Sequence, residues 1–146
     1  MREEATLRLF ALTAVALAMW LLLHKYGGLV HDANLYSLAA LARLHPPLAD
    51  DVFLRFGSQD QYTIFSPLFA TAIRAFGLES AAALLTFVSH MALMAGAWLL
   101  ARRLMPRSLA ILAVGLFIVL PTSYGALRIF HYTEGFLTPR LAAEAL

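Results

Sequence analysis

Cysteine is absent from the 146 residues. That excludes disulfides, thiolate nucleophiles and cysteine-ligated zinc. Charge is scarce as well: Asp, Glu, Lys and Arg make up 14% of the chain, against about a quarter in an ordinary soluble domain. The net charge is only +2, with no Lys/Arg run of the kind that grips a phosphate backbone, so no nucleic-acid partner is expected. Arginines at segment ends account for a pI of about 9.3. The chain is instead 61% apolar, with a mean hydropathy of +0.73. Too little polar surface remains to cover a water-soluble globule, and the length allows one domain at most. The expectation is an all-α, polytopic membrane protein, with residues 1–146 forming a single membrane domain.

Three apolar runs are the candidate spans. The first, "LRLFALTAVALAMWLLL", covers residues 7–23 and is broken only by Arg8. At the helical rise it reaches about 26 Å, and flanking residues complete the hydrocarbon thickness. Glu3 and Glu4 offset its basic start, and its exit through "HKYGG" offers no small-x-small cleavage site, so it reads as an uncleaved signal anchor. The second covers residues 80–100 and contains one ionisable group, His90. The third, "LAILAVGLFIVL", covers only 109–120. It spans only if its helix continues, kinked, through Pro121 toward Leu127. Trp20, Tyr26 and Trp98 stand near the ends of these runs and read as interfacial anchors. His90 is a functional candidate by position. With Ser89 beside it, packing against a neighbouring helix through a hydrogen bond is favoured over proton transfer.

Arg102, Arg103 and Arg107 crowd the short connection after the second run with no acid among them. The positive-inside rule keeps that connection in the cytoplasm. The N-terminus is then cytoplasmic, while residues 24–79 and the C-terminal segment 128–146 lie outside. Lys25, Arg43, Arg55 and Arg74 in the outer loop are too dispersed to reverse this. Within the loop, Leu35, Leu38, Leu41, Ala42 and Leu44 recur at a helical period. This predicts a short helix on the membrane surface, capped by Asp32 and ended by "HPP" at 45–47. After the polar "RFGSQDQYT", Ser66 and Pro67 predict the cap and first position of a second juxtamembrane helix, which Gly77 closes.

The segments "HDANLYSLAALARL", "FGSQDQYTIFSPLFATAIRAFG" and "EGFLTPRLAAEAL", set in this layout, resemble the start of GT-C-type integral-membrane glycosyltransferases. The layout resembles that family over most of the chain; the sequence texture does so in those segments. The resemblance implies transfer of a sugar from a polyprenyl-phosphate donor to an acceptor outside the cytoplasm, at a bacterial inner membrane. Membrane lipid and a lipid-linked sugar donor are the implied partners. An acid in the first outer loop is the family's usual catalytic or acceptor-orienting group, and Asp32 matches it by position. Glu134 is the candidate for a further acid. The family carries many more spans than three, and the pattern opened by Thr138-Pro139 stops after about two turns, too short to be stable alone. The chain therefore reads as the front of a longer protein, inactive by itself. A small natural protein with an amphipathic tail is the alternative.

The chemistry needs a base for the acceptor hydroxyl and positive charge near the leaving phosphate. Arg43, Arg55 or Arg128 can pair with phosphate, and Tyr36 or Tyr62 can stack on a sugar. Asp60 is the second acid of the first loop. The candidate site is thus Asp32 and Glu134 as catalytic groups, with Asp60, Tyr62, Arg55 and Arg128 binding substrate. Each residue also has an ordinary role: capping for Asp32, a turn hydrogen bond for Asp60, a salt bridge to Arg128 or Arg140 for Glu134, and a solvated turn or helix start for Asp50 and Asp51. No cofactor is expected. A divalent cation would suit the chemistry, but His31, Asp32 and His45 match no metal-ligand spacing. The competing class is a non-catalytic membrane protein whose outer loop docks a membrane-protein partner. A transporter subunit is a poorer third, since no run carries an ion path.

Overall fold

The computed structural model describes residues 2–58, 60–120, 123–124, 130–131 and 133–144. Among the described residues, seven α-helices follow in chain order: α1 (Arg2–Leu23), α2 (Asp32–Leu44), α3 (Val52–Phe56), α4 (Phe65–Phe76), α5 (Leu78–Leu104), α6 (Arg107–Val119) and α7 (Pro139–Glu144). Short 3-10 turns lie at Pro46–Asp50 and Asp60–Tyr62. Apart from a two-residue antiparallel pairing of Ser123–Tyr124 with Phe130–His131, the described backbone is helix and turn, so the chain is all-α.

Among the described residues, α5 alone is long and apolar enough to cross a membrane. Its 27 residues reach about 40 Å, more than the hydrocarbon core requires. The apolar parts of α1 and α6 are shorter, Phe10–Leu23 and Arg107–Val119. The expected continuation of the third run toward Leu127 falls largely outside the described residues; α6 ends at Val119, and Ser123–Tyr124 are extended. Leu120 turns extended, with φ −73° and ψ 140°, because the following Pro121 disfavours helical backbone in the residue before it. At 13 residues, α6 measures only about 20 Å.

The chain forms two compact units, one from Met1–Lys25 and Met94–Thr133, the other from Tyr26–Leu93 and Glu134–Leu146. In the first, α1 packs on α6. Trp20 was expected at a membrane boundary. It is instead fully buried, with its ring 4.1 Å from the His24 ring and 6.4 Å from Phe117 between centroids. An indole presents its large apolar face best to another helix, and α6 supplies that surface. His24 Nε2 donates to the Ile118 carbonyl at 3.1 Å. That satisfies one of the carbonyls a helix C-terminus leaves without an internal partner.

In the second unit, α2 lies against α4. The buried side of α2 is Ala33, Ser37, Ala39 and Ala40, so the leucine stripe expected to face the membrane surface is not the side that packs on α4. Leu35 is exposed, and Leu41 and Leu44 are only partly buried. Small side chains win because α4 brings the bulk. Phe65, Phe69 and Ile73 form one face of α4, and Tyr36 meets Phe65 edge-on at 5.6 Å. Leu137, from the segment before α7, and Ala81 and Ala82 of α5 complete this core.

Helix ends also differ from expectation. The cap residue of α2 is His31, at φ 50° and ψ −128°, and Asp32 is the first helical residue. Its carboxylate then sits at the positive end of the helix dipole. Asp51 caps α3, its carboxylate accepting from Phe53 N at 2.9 Å. Ser66 does not cap α4; Thr63 Oγ1 accepts from Phe65 N at 3.1 Å instead. Gly77 closes α4 as expected, at φ 79° and ψ 164°. That backbone region is essentially glycine-only, which lets α5 begin one residue later in a new direction.

Candidate functional site

The second unit draws the C-terminal segment onto the start of α2. Gly27 N donates to the Gly135 carbonyl. A Cβ on Gly27 would stand 3.4 Å from that oxygen, an ordinary contact. The His31 ring meets Phe136 at 5.6 Å. His90 Nε2 lies 3.1 Å from the Glu134 carbonyl, which can only accept, so the ring carries its proton on Nε2. His90 thus joins α5 to the segment before α7, and not to the neighbouring helix expected.

These contacts set a three-membered charge cluster. Arg140, on α7, places Nη2 3.2 Å from Glu134 Oε1 and 3.7 Å from Asp32 Oδ2. The other Glu134 oxygen accepts from Thr138 Oγ1 at 2.8 Å. The Glu134 side chain is 6% exposed, while that of Asp32 is 53% exposed. Half-buried Tyr36, one turn along α2, faces the same cluster. Burial pushes its phenol above the ordinary 10.0; the Asp32 charge adds to this, Arg140 opposes it, and Glu134 contributes least.

Asp32 and Tyr36 also border a cavity of about 400 Å³, together with Phe53, Asp60, Tyr62 and Ser66. Ser66 is 1% exposed, and among the described residues its Oγ has no hydrogen-bond partner; nor has Asp60 Oδ1. A buried hydroxyl left so costs about 1–3 kcal/mol. A second cavity, of about 320 Å³, shares Ala39, Ser58 and Asp60 with the first and adds Arg43 and Arg55. Arg43 Nη2 pairs with Asp60 Oδ2 at 2.6 Å. Arg55 lies over the Phe56 ring at 5.6 Å and has no ion pair among the described residues.

The candidate residues therefore divide. Asp32 and Glu134 meet on one guanidinium. Asp60 and Tyr62 line the cavity that Asp32 borders. Arg55 stands on the neighbouring cavity, and Arg128 lies outside the described residues. Sequence reasoning treated Arg140 only as a salt-bridge partner and Ser66 only as a cap. The helix start at Thr138-Pro139 was the available signal for Arg140, which it places in the first turn of α7. Nothing in the sequence marks Ser66 as a wall residue, because its burial depends on α2 packing over it. No three His, Asp or Glu side chains come together as a metal site requires among the described residues.

Among the described residues, fold and site together define a helical protein with one helix long and apolar enough to cross a membrane and a carboxylate–guanidinium cluster beside a small cavity. The chain matches no family model, no curated protein and no solved structure.

Proposed function

We propose that this chain is the N-terminal part of a polytopic, GT-C-type membrane glycosyltransferase that uses a polyprenyl-phosphate-linked sugar. The observation carrying this reading is the position of Asp32: a half-exposed carboxylate at the rim of a cavity, held loosely by Arg140. In the proposed reaction Asp32 takes the proton from an acceptor hydroxyl. The freed oxygen attacks the anomeric carbon, the bond from that carbon to the phosphate oxygen breaks, and polyprenyl phosphate leaves. Arg55, on the adjoining cavity, supports the phosphate. Glu134 holds Arg140 in place and so positions Asp32. Arg102 and Arg103 at the end of α5 and Arg107 at the start of α6 support a cytoplasmic side for the connection between them, with residues 24–79 and the C-terminal segment facing outward across a bacterial inner membrane.

A second reading is a non-catalytic membrane protein whose outer loop docks a partner. It is favoured by Arg140 engaging both acids, since the cluster then serves only to fasten the C-terminal segment to α2. The test is glycosyl transfer by the full-length protein with a panel of lipid-linked sugars. Asp32→Asn is expected to cut transfer by about 10²–10⁴-fold while the protein still accumulates in the membrane. Full activity in that variant removes Asp32 from the mechanism. No transfer from any donor in the wild type favours the docking protein.

A further inference from the structure

We infer that the 400 Å³ cavity bordered by Asp32 binds one uncharged sugar ring, with Ser66 as a specificity-determining contact. The inference names a substrate class for the site proposed above and rests on that reading. The cavity's volume falls in the usual range for small-ligand sites.

Its polarity is specific. Ser66 and Asp60 are among its lining residues, and Ser66 Oγ and Asp60 Oδ1, both buried, have no hydrogen-bond partner among the described residues. A ring hydroxyl completes either one: it donates to the Asp60 oxygen, and it can donate to or accept from the serine. Phe53, half-buried Tyr36 and Tyr62, which is 81% exposed, add aromatic surface for the C–H face of a pyranose.

The charges select against anionic ligands. Among the described residues, no Lys or Arg lines this cavity, whereas Asp32 and Asp60 do. Arg43 is held by Asp60, and Arg140 by Glu134 and Asp32. A uronate or a phosphate placed here would face two carboxylates whose guanidinium partners are already engaged. A phosphate belongs on the neighbouring cavity, where Arg55 stands.

The test is saturation-transfer NMR on the full-length protein in detergent, with the methyl glycosides of glucose, galactose and mannose, and with glucuronate. At least one neutral glycoside should give saturable transfer. Ser66→Ala should weaken it about fivefold to tenfold, the worth of one hydrogen bond, and Tyr62→Ala, at an exposed position, should weaken it without disturbing the fold. Absence of saturable transfer from every neutral glycoside overturns the inference. So does binding unchanged in both variants, or glucuronate binding as well as the neutral glycosides. Binding that depends on Ser66 in a protein that transfers no sugar keeps the sugar site and rejects the enzyme. Transfer that is indifferent to both substitutions does the reverse.

Discussion

Glu134 and Asp32 share one guanidinium and live in different surroundings. Glu134 is walled in: Arg140 and Thr138 take its two carboxylate oxygens, and its backbone carbonyl takes the His90 proton. Asp32 touches Arg140 at 3.7 Å and otherwise stands half-exposed at a cavity rim. Burial turns one acid into a fastening for the segment that carries α7. Exposure leaves the other able to meet a substrate.

The largest effect expected from breaking this contrast is at the buried end. Glu134→Ala strips Arg140 of its closer partner and Thr138 of its acceptor. The expected loss is about 3 kcal/mol, the low end for a broken buried pair, because the Arg140 side chain keeps 30% of its surface exposed. Denaturant unfolding of the full-length protein in detergent measures it. Glu134→Gln should recover part of the loss, since an amide oxygen still accepts from Thr138. An unfolding midpoint unchanged in Glu134→Ala would mean the burial has no structural weight.

Asp32→Asn is the matching change at the exposed end, and on stability it should be smaller, below about 1 kcal/mol, as for solvent-exposed pairs. The contrast breaks if Asp32→Asn destabilises as strongly as Glu134→Ala. Asp32 would then fasten the fold as Glu134 does. A similarly small effect, again below about 1 kcal/mol, is expected for Arg43→Gln, because the Arg43–Asp60 pair lies near the surface.

The layout of this region was largely legible. The short helix after Asp32, its stop at "HPP", the closure of α4 at Gly77 and the start of α7 at Pro139 all follow from local backbone chemistry. The inward face of α2 was not legible. A leucine stripe and an alanine-serine stripe coexist on that helix, and the aromatic face of α4 decides between them. Trp20 misled for the same reason: a tryptophan near the end of an apolar run suits a headgroup region or a helix neighbour equally, and Phe117 lies far along the chain. The meeting of Asp32 with Glu134 joins residues about a hundred positions apart through Arg140. No local spacing encodes such a contact, although each residue had been singled out by itself.

The finest probe of the contrast is Tyr36, whose phenol senses both acids. Its value is raised above 10.0 by burial first and by Asp32 next, with Glu134 contributing least. A group whose folded value lies above its unfolded one adds stability that is fully present below the unfolded value. That stability is lost as pH rises through the folded value. Wild-type protein should therefore lose stability between about pH 9 and 11 more steeply than Tyr36→Phe. Tyrosinate absorbance, taken as the difference between the two proteins, isolates the Tyr36 titration from that of Tyr26, which burial and Glu79 also raise. Asp32→Asn should move the Tyr36 titration down, and Glu134→Gln should move it less. The reverse order would place the buried acid closer in effect to the phenol than the exposed one, and the division of labour between the two carboxylates would have to be redrawn.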